Sequence, residues 1–169
     1  MGDPKKQRKK FSKPSHPWQK ERISAEKEIL KQYGLRRKYE IWKIDSILKK
    51  LLHRAKTIIG ERTLQSEMEK KQLLGRLYLL GLLKKDSKVE DVLNLTLKDI
   101  MERRLQTLVY RKNMAKTILQ ARQFITHEHI SISSRKITAP SYLVSIEEEP
   151  NIRLLHAINP ANEVKEQKR

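Results

Sequence analysis

Eight basic residues between positions 99 and 146 form the first set of side chains with a chemistry in common. They are Arg103, Arg104, Arg111, Lys112, Lys116, Arg122, Arg135 and Lys136, against three acidic residues in the same span. Arg104 and Arg111 lie seven apart, which places them on one stripe of a helix with Arg103 beside them. A guanidinium is a planar fork able to clamp two phosphate oxygens, so this pattern suits a polyanionic backbone. Thr117 begins a helix whose free amide groups can also hold a phosphate. Gln123 and His127 can hydrogen-bond sugar or phosphate, and a structural role for each stays open.

A second basic region lies at the start. Residues 1–56 hold 18 basic and 6 acidic side chains, and residues 57–98 are nearly balanced. Within it Lys5, Lys6, Arg8, Lys9 and Lys10 stand among prolines and few apolar residues, as expected of a basic arm that lies along phosphates. The full chain of 169 residues carries a net charge of +18. Such an imbalance attracts a polyanion. No run of about 18 apolar residues is present, so a membrane-spanning helix is not expected.

Other chemistry finds little support. The chain has no cysteine, which removes disulfides, thiolate nucleophiles and cysteine zinc sites. His127 and His129 flank Glu128, but the spacing is not that of a zinc-protease helix, and no metal is expected. There is no phosphate-cradling P-loop sequence, and the paired carboxylates of Glu147–Glu149 read as a solvated run. No cofactor and no catalytic residue are expected.

Helices must position most of these cations. Ile41, Ile44, Ile47, Leu48, Leu51, Leu52, Ala55 and Ile58 repeat at helical spacing and stop at Gly60. A second helix is expected from about Leu64 to Leu80, capped by Gly81. Ser87 with Glu90 resembles a capping box for a short helix, and Thr96 with Asp99 begins a helix running to about Lys112. Thr117 with Gln120 starts the next, with Ile118, Ala121, Phe124 and Ile125 facing inward. The period then changes to two: His129–Ser133 alternates, Ile137 resumes, and the pattern reads as a hairpin with a basic turn. Tyr142 and Val144 suggest a last short strand, and Glu147–Pro150 closes the domain. The expected class is α+β. A basic arm (1–17) leads into a helical domain (18–98). A small domain of two packed helices and an antiparallel hairpin follows (99–150), then a tail (151–169).

The segment ERRLQTLVYRKNMAKTILQARQFITHEHISISSRKITAPSYLV resembles the S-four RNA-binding domain. Its marks are the arginine-rich Glu102–Gln106, the capped Thr117–His127 and the hairpin closing at Ile137–Val144. MGDPKKQRKK with HPW, YGLRRKYE and LYLLGLL extend the likeness to the archaeal type of the small-subunit ribosomal protein S-four family. The resemblance implies a cytoplasmic, non-enzymatic constituent of the small ribosomal subunit. It also implies binding to small-subunit ribosomal RNA in the 5′ domain, neighbouring ribosomal proteins as partners, and a place near incoming messenger RNA with an influence on decoding accuracy. Two other classes fit an S-four domain: an RNA-modifying enzyme, which needs a catalytic domain for which this chain has no room, and a free RNA-binding accessory factor. Many family members have glycine in the hairpin turn where this chain has Ser133 and Ser134. Others begin the second helix with a basic residue, a role left here to Lys116.

Overall fold

The computed structural model describes residue 9, residues 11–61 and residues 63–155. The expected cations Lys5, Lys6, Arg8 and Lys10 lie outside the described residues, and Lys9 is exposed. Six helices and three short strands are present among the described residues. They are α1 (Lys20–Gln32), α2 (Lys38–Gly60), α3 (Leu64–Leu79), α4 (Leu97–Glu102), α5 (Leu105–Arg111), α6 (Ile118–Thr126), β1 (Ile130–Ile132), β2 (Arg135–Lys136) and β3 (Ile152–Leu154).

The apolar stripe of α2 buries Ile41, Ile44, Leu48, Ala55 and Ile58, and α3 adds Leu73 and Leu77. Ile47, expected on the inner face, is 41% exposed instead. At the start of α3, Thr63 Oγ1 accepts from the Ser66 amide at 3.2 Å, and Ser66 Oγ accepts from the Thr63 amide at 3.2 Å. Its other end closes as Gly81 predicts: φ is +69°, the Gly81 amide donates to Tyr78 and the Leu82 amide to Leu77. This double bond pattern satisfies two carbonyls that the helix would leave open. The short helix after Ser87 is a 3-10 turn, Val89–Asn94, and its cap sits one residue later than expected: the Lys88 amide donates to Asp91 Oδ2 at 2.8 Å.

Helix α1 shows no unbroken apolar stripe in the sequence, because Glu26 stands at an inward-facing position between Ile23 and Ile29. It ends in the same way as α3, with Gly34 at φ +57° and the Leu35 amide donating to Leu30. The arm is not free along its whole expected length. The Ser12 amide donates to Ser46 Oγ at 3.2 Å, and Phe11 stacks on Tyr39 with ring centres 6.3 Å apart and lies tilted against Trp42 at 6.2 Å.

The continuous helix expected from Thr96 to Lys112 is two helices. Thr96 begins the first, with Asp99 Oδ2 accepting from its amide at 2.8 Å. The break falls at Arg103 and Arg104, and at Arg104 the backbone turns extended. Arg104 pairs with Leu143 in an isolated antiparallel bridge; the Leu105 amide donates to Tyr142 at 2.8 Å and the Val144 amide to Arg103 at 3.0 Å. The segment expected to be a third strand of the sheet therefore interrupts a helix. The sheet takes its third strand from Ile152–Leu154, beyond the expected boundary at 150. Its order is β2–β1–β3, both pairs antiparallel. Pro150 sits in a 3-10 turn just before β3, where its missing N–H costs no ladder bond.

Two apolar cores meet at this break. One runs from Tyr33 to Met101 and is built by α1–α4; the other, from Leu105 to Ile152, is built by α5, α6 and the sheet. Each fully buried Leu, Ile or Val contributes about 1.5–3 kcal/mol. Ser133 at the hairpin turn has φ +55°. The chain thus accepts a left-handed conformation without glycine, at a cost of about 1–2 kcal/mol.

Candidate nucleic-acid interface

The arginines of the sequence motif divide by environment. Arg104 is 1% exposed, a correction to its expected place on an outward stripe. An extended residue sends its side chain to the opposite face from its neighbour, so the bridge with Leu143 turns Arg104 inward. There its Nη2 donates to Glu40 Oε2 at 3.0 Å. Arg122, from the middle of α6, reaches the same carboxylate as a fork: Nη1 to Oε2 and Nη2 to Oε1, both at 3.2 Å. Glu40 lies in the first turn of α2, so this group of three joins the two cores. Burial pushes the Glu40 carboxyl up, but the hydrogen bonds from Arg122 and Arg104 and their charges outweigh it and hold it below the ordinary carboxylate range. Burial presses the Arg104 guanidinium down, and Glu40 opposes that.

Arg103 is also occupied. Its Nη1 donates to Glu149 Oε2 at 2.7 Å and its Nη2 to the Val144 carbonyl at 3.1 Å. Lys112 Nζ donates to the Glu149 carbonyl oxygen. The run Glu147–Glu149, read as solvated, therefore supplies structural partners. Glu148 likewise accepts from the Tyr142 hydroxyl at 2.8 Å and from the Ser145 amide at 3.1 Å. The bond to Glu148, followed by burial, raises the Tyr142 hydroxyl, which is half-buried against the second core.

A further junction joins the cores without charge. Gln106 is fully buried, and its Nε2 donates to the carbonyls of Gly34 at 3.1 Å and Ile118 at 3.0 Å, with Tyr33 at 3.4 Å. One side chain thus links the α1–α2 turn, α5 and the start of α6. A β-carbon on Gly34 would lie 2.7 Å from Ile118 Cγ2 and 3.0 Å from Gln106 Nε2. Beside it, the Tyr33 hydroxyl donates to Glu102 at 2.9 Å. Burial first, then that bond, pushes its pKa up to about 12.

The remaining candidates face solvent. Arg111 is exposed, with one nitrogen 2.5 Å from Glu102. Lys116, Thr117, Gln123, His127, Arg135 and Lys136 are all exposed. Thr117 caps α6 as expected, its Oγ1 accepting from the Gln120 amide at 3.1 Å. Gln120 reaches back to the Lys116 amide at 2.8 Å, one residue beyond a standard box. Arg135 and Lys136 form β2 at the sheet's outer edge, where Lys136 lies 3.7 Å from Glu128. His127 is at the end of α6, and His129 packs edge-on against Phe124. Among the described residues, no group of three or more His, Cys, Asp or Glu is placed to hold a metal ion. No helix among them is long and apolar enough to cross a membrane.

Sequence reasoning missed Glu40 and Gln106. For Glu40 a signal existed, an acidic residue in the first turn of a helix within the basic run RRKYE; its partners, 64 and 82 residues away, left none.

Comparison with known proteins bears on this arrangement. The model of the S4 domain family matches residues 103–149, starting at the break between the two cores. The small ribosomal subunit protein uS4 of Saccharolobus solfataricus is 50% identical over 150 residues, covering 88% of this chain and 83% of that protein. The protein of the same name from a strain of Saccharolobus islandicus is 49% identical over the same shares.

Proposed function

The chain belongs to the small ribosomal subunit protein uS4 family, and on that premise we propose how its surface holds ribosomal RNA. It is a structural, RNA-binding constituent of the small subunit. Binding proceeds through cations on rigid elements: Lys116 and Thr117 at the start of α6, Gln123 and His127 along and beyond it, and Arg135 and Lys136 on the hairpin edge. Arg111 and the exposed Arg36 and Arg37 of the α1–α2 turn extend this surface. Each cation displaces condensed counterions from the RNA backbone, which yields affinity and steep salt dependence. Because the supports are packed helices and a sheet, the surface selects a folded RNA shape over a base sequence.

The observation that carries this reading is the exposure of Arg135 and Lys136 on a two-residue edge strand, fixed by β1 and supported by the core beneath. Arg103, Arg104 and Arg122 take a different part: they hold the supports in place, with Arg104 buried and Arg103 and Arg122 partly exposed. The finer parts of the proposal follow the family resemblance. The protein organises the 5′ domain of the small-subunit RNA during assembly, meets neighbouring ribosomal proteins, and lies near incoming messenger RNA.

The test is binding of the full chain to 5′-domain RNA across a salt series. The expected result is a log affinity that falls linearly and steeply with log salt, and a footprint confined to folded junctions. Affinity independent of salt would overturn phosphate contact.

A further inference from the structure

We propose that the cleft between α2 and the 140–143 segment captures one RNA phosphate, which supplies the negative charge that the two seam arginines lack. The cleft has a volume of about 230 Å³ and is lined by Lys43, Arg104, Arg122 and Ser141, with Glu40 as the acidic side chain in its wall. Apolar walls come from Ile44, Ile47 and Leu143.

Glu40 is shared between Arg104 and Arg122, so one carboxylate faces two guanidinium groups. Arg104 is almost wholly buried, and its Nη1 faces the Met101 thioether at 3.9 Å, a weak acceptor. A buried cation without a full partner is costly, and the low local dielectric that makes it so also strengthens its pull on an incoming anion. Lys43 adds a third positive charge at the rim, where its Nζ lies 5.1 Å from the centre of the Tyr39 ring. The cleft is thus positive by two charges while its floor is already built. At about 30 Å³ per water molecule it has room for a phosphate in place of several waters.

Arg122 retains an exposed part, and the Ser141 hydroxyl can donate to a phosphate oxygen. The adjoining turn presents Arg36 and Arg37 to solvent, so a chain of phosphates passing over it meets cations before and at the cleft. That continuity favours a nucleic-acid backbone over an isolated protein carboxylate. A phosphate seated there would touch side chains from α2 and α6 together. RNA binding and the angle between the two cores are then one equilibrium. This deepens the RNA-binding reading and rests on it.

Lys43 is the residue to change, because it lines the cleft without joining the Glu40 network. The full chain, with folding checked by circular dichroism, is titrated with 5′-domain RNA across a salt series. Lys43→Ala is expected to lower the magnitude of the salt slope by about one unit, and Lys43→Arg to restore it. A slope unchanged in Lys43→Ala, while Arg135→Ala/Lys136→Ala loses about two units, overturns the cleft and leaves the outer interface standing. Flat slopes in the parent chain as well overturn the interface reading and the cleft with it. If Lys43→Ala binds naked RNA with an unchanged slope yet fails to enter subunits reconstituted with the full set of small-subunit proteins, the cleft takes a protein carboxylate. That result too refutes the phosphate.

Discussion

The seam at Glu40 and the outer edge at β2 use the same kind of side chain for opposite purposes. At the seam, Arg104 and Arg122 lie in low dielectric, share one carboxylate, and hold two cores together. At the edge, Arg135 and Lys136 are exposed, and the one ion pair there among the described residues is a long contact to Glu128. A surface pair of this sort contributes about 0–1 kcal/mol and stays available to exchange its partner for a phosphate. Removing one member of a buried pair strands the others, which costs far more than the pair contributes. The comparison teaches that an arginine-rich motif in a small RNA-binding domain is two populations: braces that join the cores and meet RNA only through the cleft they line, and external contacts that meet it directly.

The contrast can be broken most forcefully at Glu40. Glu40→Ala leaves two guanidinium groups unpaired and is expected to destabilise the protein by about 3–5 kcal/mol, read as a lower urea midpoint. Arg104→Ala should belong to the same class, with stability falling before any change in RNA contact. A loss of RNA affinity with stability intact would place Arg104 among the external contacts and dissolve the distinction.

Gln106→Ala tests whether the seam needs its neutral half. It removes the donor shared by the carbonyls of Gly34 and Ile118, and unsatisfied buried acceptors cost about 1–3 kcal/mol. A change below 0.5 kcal/mol, on the order of an ordinary surface substitution, would show that water replaces the amide there.

Acid sharpens the comparison. The Glu40 pKa in the folded protein is held below the ordinary value near 4.5, so folding favours its charged form. That stability is present in full above the ordinary value and is lost as pH falls through the folded one. Unfolding free energy followed from pH 6 downward should decline through this window, and Glu40→Gln should remove its part of the decline. An identical acid profile in the variant would deny the seam its electrostatic role. The hairpin edge gives the smallest effect on folding: Arg135→Ala/Lys136→Ala should shift stability by no more than about 0.5 kcal/mol. A larger loss in urea melts would make the edge a brace as well.

Much of the architecture was legible. The stripe of α2 and the glycine that ends α3 are local signals, as are the Thr117 cap and the alternation at Ile130–Ile132. Each depends on residues within a few positions of one another. What escaped depends on distant partners. The residues around Arg103 favour helix on both sides, and nothing near them announces that 142–144 will pair across the gap. β3 is a three-residue strand just past a proline, too short for a period to register. The arm carries so few apolar residues that the contacts of Phe11 with Tyr39 and Trp42 had no pattern to betray them.

The sequence by itself determined the charge, the helical periods, the hairpin and the membership of two basic regions, since composition and short spacings carry all of these. Only the tertiary structure decided which arginines face inward. A single extended residue at position 104 reverses a side chain's direction, and the carboxylate that receives it stands 64 residues earlier in the chain. Burial and pairing are properties of that meeting, and neither residue's neighbours in the sequence encode it.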